Sequence, residues 1–458
     1  MSQRTPGIRL LLVGLVAFVL SLPLLAVYAL VRDRENQSRL AQQTITAGWG
    51  GAQVVSGPLL AIPYLREETV TEGTGDDAVT RTRRVRTELY LAPATQTVRT
   101  AIEPQKRSYS IYSSVIYRAA LEGEARFALP ADLGVDGVTR DELLLDEAEL
   151  RFGVSDPRGL QRDAQAAVGG KPLALQPGKG VAASGRSGFF ARLAWNGAPV
   201  DVSWRYGLRG SRGIALVPRG GETRWEVTSA WPHPSFAGAF LPDAREVGAE
   251  GFSATYGISN LALGQALVLG YDPGPPTVFQ PGLEYAAAAP IADTDGSSMA
   301  ATVGLTDPVD LYSRVDRSVK YAFLFIGFTF LALFMFEVVG GARVASAEYL
   351  LTGAGLILFF VLLLAFAEVI GFTLAYLVAS AAIVGLPTAY SAAVLKSRRR
   401  AGFIGALLTG LYALIYVLLS LEAYSLLIGS VLLFLALAGL MYATRNVDWS
   451  NLAGDDVA

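Results

Sequence analysis

Apolar residues are distributed along this chain in three regimes. From Leu10 to Val31 they run almost without a break. Across residues 50–300 they alternate with polar residues at a period of two. From Ser318 to Met441 long apolar stretches return, separated by short polar loops. A helix needs about 20 apolar residues to cross a hydrocarbon core roughly 30 Å thick. The outer regimes therefore predict six transmembrane helices, near 9–31, 319–339, 349–367, 370–394, 401–420 and 423–443. The first has too long an apolar core for a cleaved signal peptide and no small-x-small site after it, so it reads as a signal anchor.

The middle regime predicts strands with one buried and one wet face. Val200, Val202, Trp204, Tyr206 and Leu208 alternate with Asp201, Ser203, Arg205 and Gly207. The same pattern recurs at Val115–Leu121, at Ala125–Leu129 and at Ala148, Leu150, Phe152 and Val154. Turn chemistry separates these runs, as at Asp156-Pro157-Arg158-Gly159 and Pro177-Gly178-Lys179-Gly180. Strands without intervening helical patterns predict an all-β, antiparallel, sandwich-like domain. Glu72–Asp77 and Asp293–Ser298 read as loops. The expected fold class is thus a membrane protein, a six-span α-helical bundle with a large inserted extracytoplasmic β domain.

Charge sets the orientation. Lysine and arginine collect on the cytoplasmic side of membrane helices. Arg4 and Arg9 precede the first span, Arg343 follows the second, Lys396 and Arg398 to Arg400 follow the fourth, and Arg445 follows the sixth. The loops at Glu368 and Glu422 carry neither residue type. The expected organisation is a cytoplasmic N-terminus (1–8), a signal-anchor helix (9–31), a periplasmic β domain (32–318), a five-helix bundle (319–443) and a cytoplasmic tail (444–458).

Composition narrows the function. Hydrophobic residues make up 52% of the chain and charged residues 17%, concentrating the polarity in the middle domain. With a net charge of −2 and no basic stripe, no nucleic-acid partner is expected. Cysteine is absent, which excludes disulfides, thiolate metal sites and a cysteine nucleophile.

The most distinctive local sequence is Trp231-Pro232-His233-Pro234-Ser235-Phe236, running on to Pro242. His233 is the single histidine. It is a candidate proton acceptor, but a lone histidine cannot build a multi-histidine zinc site, and no Gly-x-Ser-x-Gly elbow supplies a serine nucleophile. The plainer reading is a rigid loop in which Trp231 and Phe236 pack. The acidic run Asp141, Glu142, Asp146, Glu147 and Glu149 reads as a solvated face, and Gly178-Lys179 as a turn. Spans three to six carry no Asp, Glu, Lys, Arg or His in their interiors, unlike ion-coupled transporters. Glu337 and Glu368 lie near span ends. Small residues at four-residue spacing, Gly371, Ala375 and Ala379 and then Gly402, Ala406 and Gly410, predict close helix packing.

Several ordered stretches together carry a family resemblance. They are Ser56 to Pro63, Trp231 to Pro242 with Arg245-Glu246-Val247, and Asp307 to Tyr312 with Arg317, Lys320 and Tyr321. Phe334 to Glu337, Tyr349 to Leu351, Glu368, Gly371-Phe372 and Thr444 to Trp449 complete the set. On these the chain resembles the CreD family of bacterial inner-membrane proteins over nearly its whole length. Members often carry His-Pro just before the Tyr-Leu of the third span and a histidine after the position of Glu368, where this chain has Ala345-Ser346-Ala347-Glu348 and Val369. The resemblance implies a role in cell-envelope integrity and in tolerance of agents such as colicins, under a two-component regulatory system. It implies no reaction, cofactor or metal.

The expectation is therefore a non-enzymatic envelope protein in the lipid bilayer, whose outer domain binds or shields an envelope protein, peptidoglycan or a lipid. Its candidate interaction residues are Trp231, His233, Phe236, Arg245, Glu337 and Glu368. The alternative is a transporter or lipid-handling protein.

Overall fold

A computed structural model describes residues 6–72, 79–109, 112–135, 137–272, 274, 300–305, 311–322, 326–327, 329–330, 346–395, 398–420 and 425–445. Several expectations fall outside these residues: Glu337, Arg343, Lys396, Glu422, the 293–298 loop, nearly all of the 72–77 loop, much of the second span and the tail from 446. Two compact units emerge, Ala41–Pro308 and Met1–Leu40 with Val309–Ala458.

The first unit is built from strands, in chain order β1 (Gln53–Glu72), β2 (Val79–Leu91), β3 (Thr95–Tyr109), β4 (Tyr112–Phe127), β5 (Ala148–Val154), β6 (Gln165–Val168), β7 (Lys171–Pro172) and β8 (Leu175–Pro177). There follow β9 (Gly188–Leu193), β10 (Val200–Ser211), β11 (Gly213–Val217), β12 (Glu222–Ser229), β13 (Pro234–Gly238), β14 (Ala244–Gly248), β15 (Gly251–Ser259), β16 (Val268–Leu269) and β17 (Ala301–Leu305). One sheet has nine strands in the order β13-β17-β11-β1-β5-β9-β8, with β2 on β1 and β16 on β2. The other has eight, β14-β15-β12-β3-β4-β10-β6-β7.

The sheets face each other across one core. Phe152 on β5 meets Trp204 on β10 at 5.8 Å, and Phe189 on β9 meets Tyr206 on β10 at 5.4 Å. Trp225, Tyr117, Tyr256 and Phe127 are fully buried between them. Burying a large apolar side chain contributes about 1.5–3 kcal/mol, so this aromatic layer supplies much of the drive for the sandwich. Trp225 keeps its indole N–H satisfied by donating to Thr100 Oγ1 at 3.0 Å. The predicted alternation is visible on β10, where Val202, Trp204, Tyr206 and Leu208 are buried and Asp201, Ser203 and Arg205 exposed.

Two features correct the sequence reading. The sheets are mixed rather than wholly antiparallel, because β1 pairs β11 and β3 pairs β12 in parallel. Parallel neighbours need a long crossover, and both pairs are separated by many intervening strands that supply one. The other correction concerns β5, whose seven residues are buried on both faces. Its outer face is covered by a second small core containing Leu59, Val181, Ala183, Ala215 and Val217.

The second unit is helical. The first helix runs Pro6–Ala47, well past the apolar stretch, and its last turns cluster with the β unit. Further helices are Leu311–Lys320, Ser346–Ile370, Phe372–Leu395, Arg398–Ser420 and Ser425–Thr444. Two segments among the described residues, Tyr349–Ile370 and Phe372–Tyr390, are long and apolar enough to cross a membrane. Large apolar side chains face outward here, among them Phe18, Leu22, Leu25, Leu374, Leu377 and Leu386. That is costly in water and natural against lipid.

The small-residue prediction needs amendment. Ala375 and Ala379 are buried, but Gly371 is exposed and breaks the chain between two helices. Gly402, Ala406 and Gly410 are likewise exposed. The close approach is made instead by Gly405, where an added Cβ would meet Thr388 Oγ1 at 2.9 Å.

Candidate functional site

The Trp231 segment links the sheets at one edge. Trp231, 8% exposed, caps the core, and the Lys106 ammonium lies 5.5 Å from its ring. The two prolines lead the chain directly into β13, which pairs with β17. Phe236 on β13 packs edge-on against Phe252 of β15 in the opposite sheet, with centroids 5.7 Å apart. The Arg245 guanidinium, on β14, lies 5.8 Å from the same Phe236 ring. Thus Phe236 and Arg245 meet, Trp231 anchors the segment that carries them, and His233 is exposed.

Beside this corner a shallow groove of about 900 Å³ is lined by residues 101–104, 228–230 and 246–253. Its charged residues are Glu103, Glu246 and Glu250, so it is acidic. β14 forms one of its walls and is the edge strand of the eight-stranded sheet. All five β14 residues are exposed, Val247 by 52%. An edge strand offers unpaired backbone donors and acceptors to a partner strand.

An ionic network centred on buried Arg151 and Glu149 lies elsewhere, on the outer face of the nine-stranded sheet. Arg151 on β5 donates bidentately to Glu88 on β2, at 2.9 and 2.5 Å, and to Glu149 at 2.7 Å. Lys179 donates to the other Glu149 oxygen at 2.5 Å, and Tyr90 to Glu88 at 2.6 Å. Register explains the meeting: Tyr90, Ala61 and Glu149 lie abreast on β2, β1 and β5, and Ala61 leaves room above it. Burial opposes ionisation of Glu88 and Glu149. Hydrogen bonds from Arg151 and Tyr90 at Glu88, and from Lys179 and Arg151 at Glu149, outweigh it and hold both carboxyls below their ordinary range. Burial and the Glu88 hydrogen bond push the Tyr90 hydroxyl up to about 12. Nearby, Asp272 accepts from the Ala182 N–H at 2.5 Å and faces Arg219 at 3.9 Å. Burial raises its pKa and lowers that of Arg219.

The acidic run thus separates. Glu149 is buried in this network and Glu147 pairs with Arg86, while Asp141 and Glu142 are exposed on a short 3-10 turn. No group of three metal-ligating side chains occurs among the described residues. Sequence reasoning missed the network because Glu88, Arg151 and Lys179 meet only through strand pairing; the one available signal was a full charge set at otherwise strand-like positions.

In the helical unit Glu368 is half-buried and accepts a hydrogen bond from Tyr312 at 3.2 Å. Both residues belong to the stretches that carried the resemblance.

The Inner membrane protein CreD of Escherichia coli (strain K12) is 31% identical over 438 residues, covering 94% of this chain and 91% of that protein. Among solved structures, an M1 zinc metallopeptidase from Deinococcus radiodurans, in a substrate-bound mutant form, overlaps 36% of this chain at 9% identity and a TM-score of 0.23. The chain covers 39% of that enzyme's length. The family described as Inner membrane protein CreD matches residues 5–450. The chain belongs to the CreD family of bacterial inner membrane proteins.

Proposed function

We propose that this protein is a non-enzymatic envelope protein whose β unit lies on the periplasmic side and binds or shields an envelope component. The observation that carries the reading is a folded β unit, Ala41–Pro308, inserted into the sequence of an inner-membrane family member between apolar helices. The six-span topology with both termini cytoplasmic rests on the arginine- and lysine-rich loops, which all fall on one side. The acidic groove beside β14 gives the unit a surface for its partner. The ionic network supports a non-catalytic reading, since its carboxylates are committed to arginine and lysine partners.

The alternative, a lipid-handling or transport protein, would be favoured by a lipid-filled groove between the sheets. Phe152, Trp204, Phe189 and Tyr206 fill that space, which favours the binding reading.

Deletion of the gene tests the proposal. The expected result is sensitivity to detergents, β-lactams or colicins, restored by the intact gene and equally by His233→Ala. Normal tolerance and unchanged cell shape in the deletion strain would overturn it.

A further inference from the structure

On the outer face of the eight-stranded sheet three arginines surround one indole. Trp49 follows the first helix, and its backbone N–H and that of Gly50 donate to Thr46 O at 3.0 and 2.9 Å. Its Nε1–H donates to Tyr117 O at 3.1 Å, which pins the ring against β4. The guanidinium carbons of Arg107, Arg118 and Arg209 lie 5.1, 5.8 and 4.9 Å from the ring centroid. All three arginines are exposed.

Arg118 and Arg209 stand directly opposite each other on β4 and β10. Like charges so placed repel. The negative face of the indole offsets part of that repulsion. Elsewhere on this sheet face several arginines are matched: Arg99 and Arg224 pair with Glu226, and Arg126 with Asp201. The three around Trp49 have no carboxylate at ion-pair distance among the described residues. Even Glu103, abreast of Arg118 on β3, makes no such pair.

We propose that Trp49, Arg107, Arg118 and Arg209 form a receptor site for a multiply charged phosphate group, a phosphomonoester or pyrophosphate. Guanidinium forks match phosphate oxygens in bidentate fashion. A carboxylate brings one negative charge, whereas a phosphomonoester brings about 1.5–2 at neutral pH, closer to the three positive charges gathered here. The phosphate is carried by a lipid or free in solution. The site goes beyond the groove at β14 and holds on either side of the membrane.

The test uses the full chain in phosphatidylcholine nanodiscs, titrated with inorganic pyrophosphate or with short-chain phosphatidic acid. Tryptophan emission is read, and Trp49→Phe identifies the reporting ring. The expected result is a saturable change that Arg209→Gln weakens about tenfold or more, the usual loss for a charge-assisted hydrogen-bonding group. Arg126→Gln is expected to bind as the parent does. Arg209→Gln is also expected to keep or raise the thermal midpoint, since it relieves a like-charge pair; a merely structural arginine would lower it. Tighter binding of pyrophosphate supports a free ligand, and tighter binding of phosphatidic acid a lipid-borne one. No saturable binding of either probe, or unchanged affinity in Arg209→Gln, would overturn the proposal.

Discussion

Arg151 illustrates how much one side chain organises in this protein. It is the shared partner of Glu88 and Glu149, at 9% side-chain exposure. Removing one member of a buried ion pair strands the other charge, at a cost of about 3–5 kcal/mol. Arg151→Met is expected below that range, about 1–3 kcal/mol, because Lys179 still reaches Glu149 and the Glu88 side chain is 36% exposed, so water screens the charge left behind. The pH dependence has a definite sign. Glu88 and Glu149 have lowered pKa values, so they bind fewer protons folded than unfolded. Their contribution is present above the ordinary value of 4.5 and is lost as pH falls through their lower folded values. Asp272, raised by burial, opposes them: its contribution is present at the lowest pH and lost as pH rises through its folded value. The thermal midpoint of the β unit should therefore fall on acidification in the parent. In Arg151→Met it should fall at neutral pH and recover in part on acidification, as the stranded carboxyls protonate. An unchanged acid profile would contradict the network's role. Gly123 is a second sensitive residue, paired with Trp204 across the strands. An added Cβ would sit 2.2 Å from Trp204 Cζ2 and 2.8 Å from Thr97 O. Gly123→Ala is expected to destabilise the unit by about 1–3 kcal/mol, measured by denaturant midpoint.

At the scale of the element, strands declared themselves through residues that alternate cleanly, such as Val202, Trp204 and Tyr206. Alternation misled at β5. Glu149 and Arg151 occupy the positions that ought to be wet, yet both are buried, with Lys179 on Glu149 and Glu88 and the Tyr90 ring against Arg151. A polar residue satisfied by another polar residue looks the same in sequence as one satisfied by water. Pairing was less legible still. Arg118 and Arg209 are far apart in the chain and abreast in the sheet, and Trp49 carried no local sign of meeting either. Of the candidates named from sequence, Phe236 and Arg245 meet because β13 and β14 bring the edges of the two sheets together. The exposed β14 edge makes its own prediction. A photocrosslinker replacing Val247 should capture an envelope component in living cells, whereas one at Asp201, paired with Arg126 on the outer face, should not. Equal capture from both positions would remove the edge from the account.

For the whole molecule, hydropathy and loop charge were the strongest signals, because a bilayer constrains every residue of a spanning helix at once. Family membership agrees with the membrane location that hydropathy indicates, and outward-facing Phe18, Leu22 and Leu25 give it a physical basis. The side of the membrane on which the β unit sits decides whether any of its surfaces can meet the envelope. The natural absence of cysteine makes this directly measurable. Single cysteines placed at Ser203, on an exposed strand face, and at Ser397, next to Arg398–Arg400 in sequence, can be labelled with a membrane-impermeant maleimide in intact spheroplasts. The expected result is labelling of Ser203→Cys before lysis and of Ser397→Cys only after it. Labelling of Ser397→Cys before lysis, with Ser203→Cys protected, would place the β unit in the cytoplasm and contradict the account.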